Sequence, residues 1–339
     1  MTDEGLAILF YKGTYMNKSR KTYIASCEIS EVTTVNLGGY DQKIAIEGRS
    51  KTLPLVICLH GGPGSPVPFS VGCRGLFPDL TDKAIMVYWD QLGCGINNFK
   101  LTDDFTISNF VDMTCDLVKY LRARFPQNKL YIFAVSWGSM LSLGAVNKLQ
   151  GGVDGVLVWG QIVKDLIFNE EVYTALRSAP EKVKKEVEQI KKTGKNGELN
   201  VSVPKMMKFV DKYTDGRTSH TEKGLPVGEI IKGLLTGPDY KFRDFKAIMN
   251  NGYRGNKSLW KELVEIDLSQ EFGKVTVPYK ILQGENDLIT PTAPLKAALE
   301  GNKNTFVTYK PVPKTGHMPT EAAMKTIFNE IYEMGYGAQ

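Results

Sequence analysis

The run Leu130-Tyr131-Ile132-Phe133-Ala134-Val135-Ser136-Trp137-Gly138-Ser139 constrains this chain more than any other. Residues of strand character lead into a serine, and a helix-like stretch, Met140 to Leu149, follows. A strand that turns sharply into a helix at a serine holds that hydroxyl out at the tip of the turn. Such a turn is crowded, so the residues two before and two after the serine must be small. Here they are Ala134 and Gly138. The short pattern alone also arises by chance, so its neighbours must support it.

The first neighbour is Leu55-Val56-Ile57-Cys58-Leu59-His60-Gly61-Gly62-Pro63-Gly64, an apolar strand running into a glycine-rich turn. A reaction that passes through a negatively charged tetrahedral oxygen needs backbone N–H groups aimed at empty space, and glycine lets the backbone come close. The residue after the serine, Trp137, supplies one donor, and Gly62 is the best candidate for the other. A phosphate-binding turn is the competing reading. No G-x-x-x-x-G-K-[ST] and no helix-opening G-x-G-x-x-G is present to favour it.

The second neighbours lie late in the chain. Val277 to Gly284 reads as a strand followed by Glu285-Asn286-Asp287, and Thr305 to Pro311 reads as a strand followed by Lys314-Thr315-Gly316-His317. An acid and a histidine thus each follow a late strand. The chain order is serine, acid, histidine. Chemistry alone leaves Glu285 and Asp287 both open as the acid. His60 precedes the glycine-rich turn and is expected to brace it, while His220 lies in a polar loop and is expected to be solvated. That leaves His317 as the base. Asp90, in Trp89-Asp90-Gln91, is expected to brace a turn, and Cys94 to pack.

These residues carry a resemblance. The chain resembles the α/β-hydrolase superfamily, and within it the proline iminopeptidase-like serine peptidases. The matching residues are His60-Gly61-Gly62-Pro63-Gly64, Trp89-Asp90-Gln91-Leu92-Gly93-Cys94-Gly95, Val135-Ser136-Trp137-Gly138-Ser139, Gly284-Glu285-Asn286-Asp287 and Gly316-His317. The resemblance implies a catalytic triad of Ser136, Asp287 and His317, with Gly62 and Trp137 as the oxyanion hole. The Gly284-x-x-Asp spacing is what selects Asp287. In aminopeptidases of this family, acidic cap residues bind the substrate's ammonium group, which makes Glu170 and Glu171 candidates. Their other reading is the solvated first turn of a helix, where acids suit the dipole. The chain departs from the family at Leu92, usually Arg, and at Gly95-Ile96-Asn97. The segment after Gly160 lacks the Arg- and Glu-bearing stretch of true proline iminopeptidases, so proline specificity is not implied.

The organisation agrees with a doubly wound, mostly parallel sheet. Thr33 to Ile46 alternates around Gly38-Gly39 and predicts an N-terminal hairpin, after a poorly defined lead-in over residues 1 to 20. Leu55–Leu59, Ala84–Trp89, Leu130–Phe133 and Val153–Trp159 are short apolar runs that fit strands buried on both faces. Ile107 to Phe125 places Phe110, Leu117, Tyr120 and Leu121 at helical spacing between two of them. After Trp159 the pattern turns helical. Pro180 to Lys192 carries Val183, Val187 and Ile190 on one stripe, a break follows at 192 to 197, and helices are predicted near Met206–Tyr213, Gly228–Leu235 and Asp244–Met249. Residues 161–265 therefore read as an inserted helical cap, and 1–160 with 266–339 as the α/β-hydrolase core. Glu321 to Met334 is a closing amphipathic helix.

At 339 residues with 42% hydrophobic content the chain has enough apolar material for such a core. Its net charge of +5 is mild, and no nucleic-acid motif accompanies it. The five cysteines are scattered without metal spacing, and the three histidines are dispersed without H-E-x-x-H, so no metal or other cofactor is expected. Free thiols point to a reducing compartment. The apolar stretch Leu6 to Tyr11 is too short for a signal-peptide core and lacks a basic start, and no run is long enough to span a membrane. A cytoplasmic protein acting on a small peptide or acyl substrate is the expectation, with no nucleic-acid or membrane partner. The leading activity is release of N-terminal residues from short peptides through an acyl-enzyme. The alternatives are a carboxylesterase or amidase, which would use the same triad, and a non-catalytic binding protein that keeps the fold.

Overall fold

The computed structural model describes residues 13–194 and 198–336. Its strands are β1 (Ile29–Leu37), β2 (Tyr40–Gly48), β3 (Leu55–Leu59), β4 (Ile85–Trp89), β5 (Leu130–Val135), β6 (Gly155–Trp159), β7 (Tyr279–Gly284) and β8 (Val307–Val312). They form one sheet in the order β1-β2-β4-β3-β5-β6-β7-β8. β2 is antiparallel to both of its neighbours, and every pair from β4 across to β8 is parallel. The expected hairpin is β1–β2. Leu37 pairs with Tyr40 across Gly38 and Gly39, which both take positive φ, as a two-residue hairpin loop requires.

β3, β4 and β6 are buried along their whole length, and β5 as far as Ala134. That is why they read as unbroken apolar runs rather than alternating ones. Their side chains divide by parity between two cores. Leu55, Ile57 and Leu59 face a core shared with α2 (Ile107–Arg124), α3 (Trp137–Leu149) and α10 (Thr292–Asn302). Val56 and Cys58 face the other, shared with α11 (Glu321–Tyr336). β8 closes the parallel side. It is largely exposed and carries Lys310 and Pro311, which discourage another strand from pairing there.

The lead-in departs from expectation. From Gly13 to Ser26 the chain forms a helix, α1. It has no apolar stripe that would betray it in the sequence. A long-range contact holds it instead: the buried Arg20 guanidinium donates to the carbonyls of Arg74 at 2.6 Å, Gly72 at 2.6 Å and Gly233 at 2.7 Å. Leu6 to Tyr11 lies outside the described residues.

Between β6 and β7 the described residues form α4 (Glu170–Ala175), α5 (Glu181–Thr193), α6 (Leu199–Tyr213), α7 (Val227–Leu235), α8 (Phe242–Met249) and α9 (Lys257–Glu265), and no strand. Val183, Val187 and Ile190 are the buried stripe of α5. Gly194 ends that helix at positive φ, and Lys195 to Gly197 of the expected break lie outside the described residues. α6 starts at Leu199, ahead of the predicted Met206, with Pro204 inside it. α9 was not expected. Its signal is brief: the Asn256 side chain accepts from the Leu259 amide at 2.9 Å, and Leu259, Leu263 and Val264 are buried at helical spacing.

The inserted helices sit at the end of the sheet where β3, β5, β7 and β8 stop. α4, α5 and α6 share an apolar cluster of their own, which reaches Val264 and Ile289. The part from Thr214 onward is tied to the sheet. Asp239 pairs with Arg74 at 2.6 Å, the Tyr253 hydroxyl donates to the Leu92 carbonyl at 2.6 Å, and Asn251 donates to the Gly64 carbonyl at 3.1 Å.

Candidate active site

Ser136 ends β5 and opens α3 with φ 51° and ψ −114°, a backbone conformation that a residue with a side chain rarely adopts. Its amide donates to the Trp159 carbonyl on β6 at 2.9 Å. The small residue two places on has a steric cause. A Cβ at Gly138 would lie 2.3 Å from the Leu59 carbonyl oxygen and 3.0 Å from that of His60. The start of α3 is therefore pressed against the end of β3, and only glycine fits between them.

Three side chains from distant segments meet at this turn. The Ser136 hydroxyl donates to Nε2 of His317 at 2.9 Å, and the imidazole Nδ1–H donates to Asp287 Oδ2 at 2.8 Å. Asp287 is 2% exposed and Ser136 7%, so both bonds form largely out of water. The carboxylate is saturated. Its Oδ1 accepts the amides of Ile289 and Thr290 at 2.9 Å each, and its Oδ2 also accepts the Thr290 hydroxyl at 2.7 Å. Glu285, the rival acid, is exposed. Only Asp287 reaches the histidine.

Backbone contacts hold His317 in place. Its amide donates to Gly216 of the inserted segment at 3.2 Å, and its carbonyl accepts the Trp159 indole at 2.7 Å. Beneath the ring, a Cβ at Gly160 would come within 3.0 Å of Cε1. Gly284 is equally constrained, since a Cβ there would lie 2.2 Å from the Gly316 carbonyl oxygen. Neither Gly160 nor Thr290 emerged from the sequence. Thr290 had a signal, because an aspartate that accepts from amides two and three residues on makes a recognisable turn.

The glycine-rich turn lies beside the serine. A Cβ at Gly61 would be 3.3 Å from Ser136 Cβ, and Gly62 is exposed, with φ 125°. No described acceptor takes the amide hydrogen of Gly62 or of Trp137. His60 braces the turn. Its Nδ1 donates to the Gly61 carbonyl at 2.8 Å, and its Nε2 accepts the Gln91 amide at 3.0 Å. Burial pushes its pKa down to about 4, so the ring is neutral. Asp90 is fully buried, which raises its pKa. It accepts the amides of Val71 and Ile96 at 3.0 Å each and the Tyr240 hydroxyl. The Cys94 thiol is buried and donates to the Gln91 carbonyl at 3.2 Å. His220 is half-exposed and lies 3.1 Å from Asp215, so it has a surface partner that the sequence did not indicate.

The two candidate glutamates part company. Glu170 points outward, 72% exposed, and pairs with Lys191 at 2.8 Å. It is not brought to the serine, because the helix periodicity at the start of α4 turns adjacent residues to different faces. Glu171 is half-buried. It lines an open cleft of about 400 Å³ with Asp215, Glu285 and Asp287. Among the described residues no group of three or more His, Cys, Asp or Glu is arranged to hold a metal ion, and no helix is long and apolar enough to cross a membrane.

Comparison with known proteins agrees with this fold. The profile of a family described as "alpha/beta hydrolase fold" matches residues 54–321. The probable aminopeptidase YbaC of Bacillus subtilis (strain 168) is 26% identical over 276 residues, 78% of this chain and 83% of that protein. A proline iminopeptidase of Lactobacillus acidophilus is 24% identical over 255 residues, 75% of this chain and 81% of that one. The crystal structure of a proline iminopeptidase from Mycobacterium smegmatis superposes with a TM-score of 0.61 at 15% identity, over 91% of this chain and 100% of that one.

Proposed function

The chain belongs to the α/β-hydrolase family, and we propose that within it the protein is a serine hydrolase that releases N-terminal residues from short peptides. The observation that carries the reading is the continuous hydrogen-bonded path from Ser136 through His317 to Asp287, at 2.9 and 2.8 Å. Ser136 Oγ attacks the scissile carbonyl while His317 Nε2 takes its proton. The carbonyl π-electrons move to the oxygen, and the amides of Gly62 and Trp137 receive that negative charge. His317 then hands the proton to the leaving amine as the C–N bond breaks. Water repeats the sequence on the acyl-enzyme and frees the serine. Asp287 keeps Nδ1 protonated and stabilises the imidazolium that forms.

The peptidase reading is supported by relatives named aminopeptidase and proline iminopeptidase. The helices over residues 161–265 act in it as a cap that limits substrates to short chains. Glu171, in an acid-lined cleft, is the remaining candidate for the ammonium group of the substrate. A cytoplasmic location fits five cysteines that are all free.

A fluorophosphonate probe tests the mechanism, and a substrate panel tests the class. Wild type is expected to label covalently. Ser136→Ala is expected to lose labelling and to lose turnover by roughly 10⁴- to 10⁶-fold. Aminoacyl arylamides are expected to be cleaved far better than their N-acetylated forms, and Glu171→Gln to raise KM for the free-amine substrate alone. The outward turn of Glu170 favours a second reading, an esterase or amidase indifferent to an amino terminus. Equal rates for free and acetylated substrates, or faster turnover of simple acyl esters, would establish that one instead.

A further inference from the structure

The two proposed oxyanion donors stand on separate segments. Gly62 follows β3 and Trp137 follows β5. The β3–β5 ladder ends at Leu59 and Ala134, so no ladder bond fixes the distance between the residues that matter. A third segment, after β4, supplies the link. The Gln91 side chain accepts the Trp137 indole N–H on Oε1 at 2.8 Å and donates from Nε2 to the His60 carbonyl at 3.4 Å. The Gln91 backbone amide donates to His60 Nε2 at 3.0 Å, and His60 in turn holds Gly61. In the sheet β4 lies on the far side of β3 from β5. Gln91 therefore reaches across the end of β3 to grip both the His60–Gly62 turn and the start of α3.

The placement is costly unless it serves something. Gln91 and Trp137 are 0% exposed, and burying a carboxamide is unfavourable compared with an apolar side chain of the same shape. A carboxamide combines, on one side chain, an acceptor for the indole with a donor for the carbonyl. We propose that Gln91 is a positioning residue that fixes the spacing of the two oxyanion donors. It touches no reacting atom and acts through Trp137 and the His60–Gly62 turn. Preorganised donors work only when held at the place where the charge develops, and a small displacement forfeits much of their effect. This inference rests on the serine-hydrolase reading above.

The test is a double-mutant cycle of Gln91→Met and Trp137→Phe, assayed on an aminoacyl arylamide. Gln91→Met keeps length and the backbone amide but removes both side-chain hydrogen bonds. Trp137→Phe removes the indole donor and keeps the oxyanion amide. Each is expected to lower kcat about 10- to 100-fold with KM within about twofold. An alkyl boronic acid, which becomes a tetrahedral anion on the serine, should lose affinity by the same factor. The double variant should fall little further than either single one, because both break one connection. Unchanged kcat in a folded Gln91→Met, or losses that simply multiply, would overturn the proposal. Should Gln91→Met fail to fold, Trp137→Phe decides alone, and full kcat with full boronate affinity refutes it. If the wild type resists fluorophosphonate and Ser136→Ala keeps its activity, the hydrolase reading itself falls and takes this inference with it.

Discussion

At the scale of single residues, most of the unusual features around Ser136 have a steric or a desolvation cause. Gly138 is required by a carbonyl oxygen 2.3 Å from where a Cβ would sit, and Gly284 by one at 2.2 Å. His60 shows the desolvation side. In the unfolded chain it takes a proton near its ordinary value of about 6.5, whereas burial in the folded protein holds it down to about 4. Between those values the unfolded state binds more protons, so stability rises with pH and is lost as pH falls through this window. Chemical denaturation at about pH 7 and about pH 5 should show it. Wild type is expected to lose roughly 2 kcal/mol more on acidification than His60→Gln, which has no imidazole to charge. Equal losses in the two proteins would mean that His60 is solvated when folded.

At the scale of elements, a helix with a long apolar stripe could be read from the sequence and one held by polar contacts could not. α5 is the first kind, with Val183, Val187 and Ile190 buried on one face. α1 is the second, anchored by Arg20 on three carbonyls of the β3–β4 connection and of α7. Removing that guanidinium takes the side-chain donor from the Gly72 and Arg74 carbonyls, and a buried acceptor left unmatched costs about 1–3 kcal/mol. Arg20→Met is therefore expected to lower stability by about 2–4 kcal/mol and to speed proteolytic cleavage before β1. Arg20→Lys should restore only part, since an ammonium cannot span three acceptors set for a planar fork. A denaturation midpoint unmoved by Arg20→Met would contradict this account of α1.

At the scale of the whole molecule, the inserted helices divide into two parts. The stretch from Thr214 is bonded to the sheet through Asp239, Tyr240, Asn251 and Tyr253. α4 to α6 pack mainly on one another, around a cluster that meets the rest of the protein at Trp260, Val264, Leu288 and Ile289. Parts with few contacts to the main core open at lower free energy than the strands at its centre. Amide hydrogen exchange should find α5 and α6 exchanging well before β3 to β6, with α9 between them. Equal protection across α5, α6 and the central strands would show that the insertion unfolds only with the whole protein. Early opening of α5 and α6 would also give substrate a route to a serine that is 7% exposed.

The sequence by itself determined the class of fold and the serine and histidine worth testing, because those signals are local. Apolar runs bounded by turns, a hairpin at Gly38-Gly39 and a strand–Ser–helix junction each follow from residues within a few positions of one another. The tertiary structure alone decided what depends on direction in space. Asp287 and Glu285 lie two residues apart; chemistry alone left both open, the family spacing favoured Asp287, and the turn closed by Thr290 is what carries it to His317. Glu170 and Glu171 are neighbours, yet one pairs with Lys191 at the surface and the other faces the cleft. Gln91 looked like one residue of a motif, and its reach to both Trp137 and His60 exists only because β4, β3 and β5 lie side by side. Side-chain direction and long-range pairing depend on the packed sheet, and no local pattern of residues encodes them.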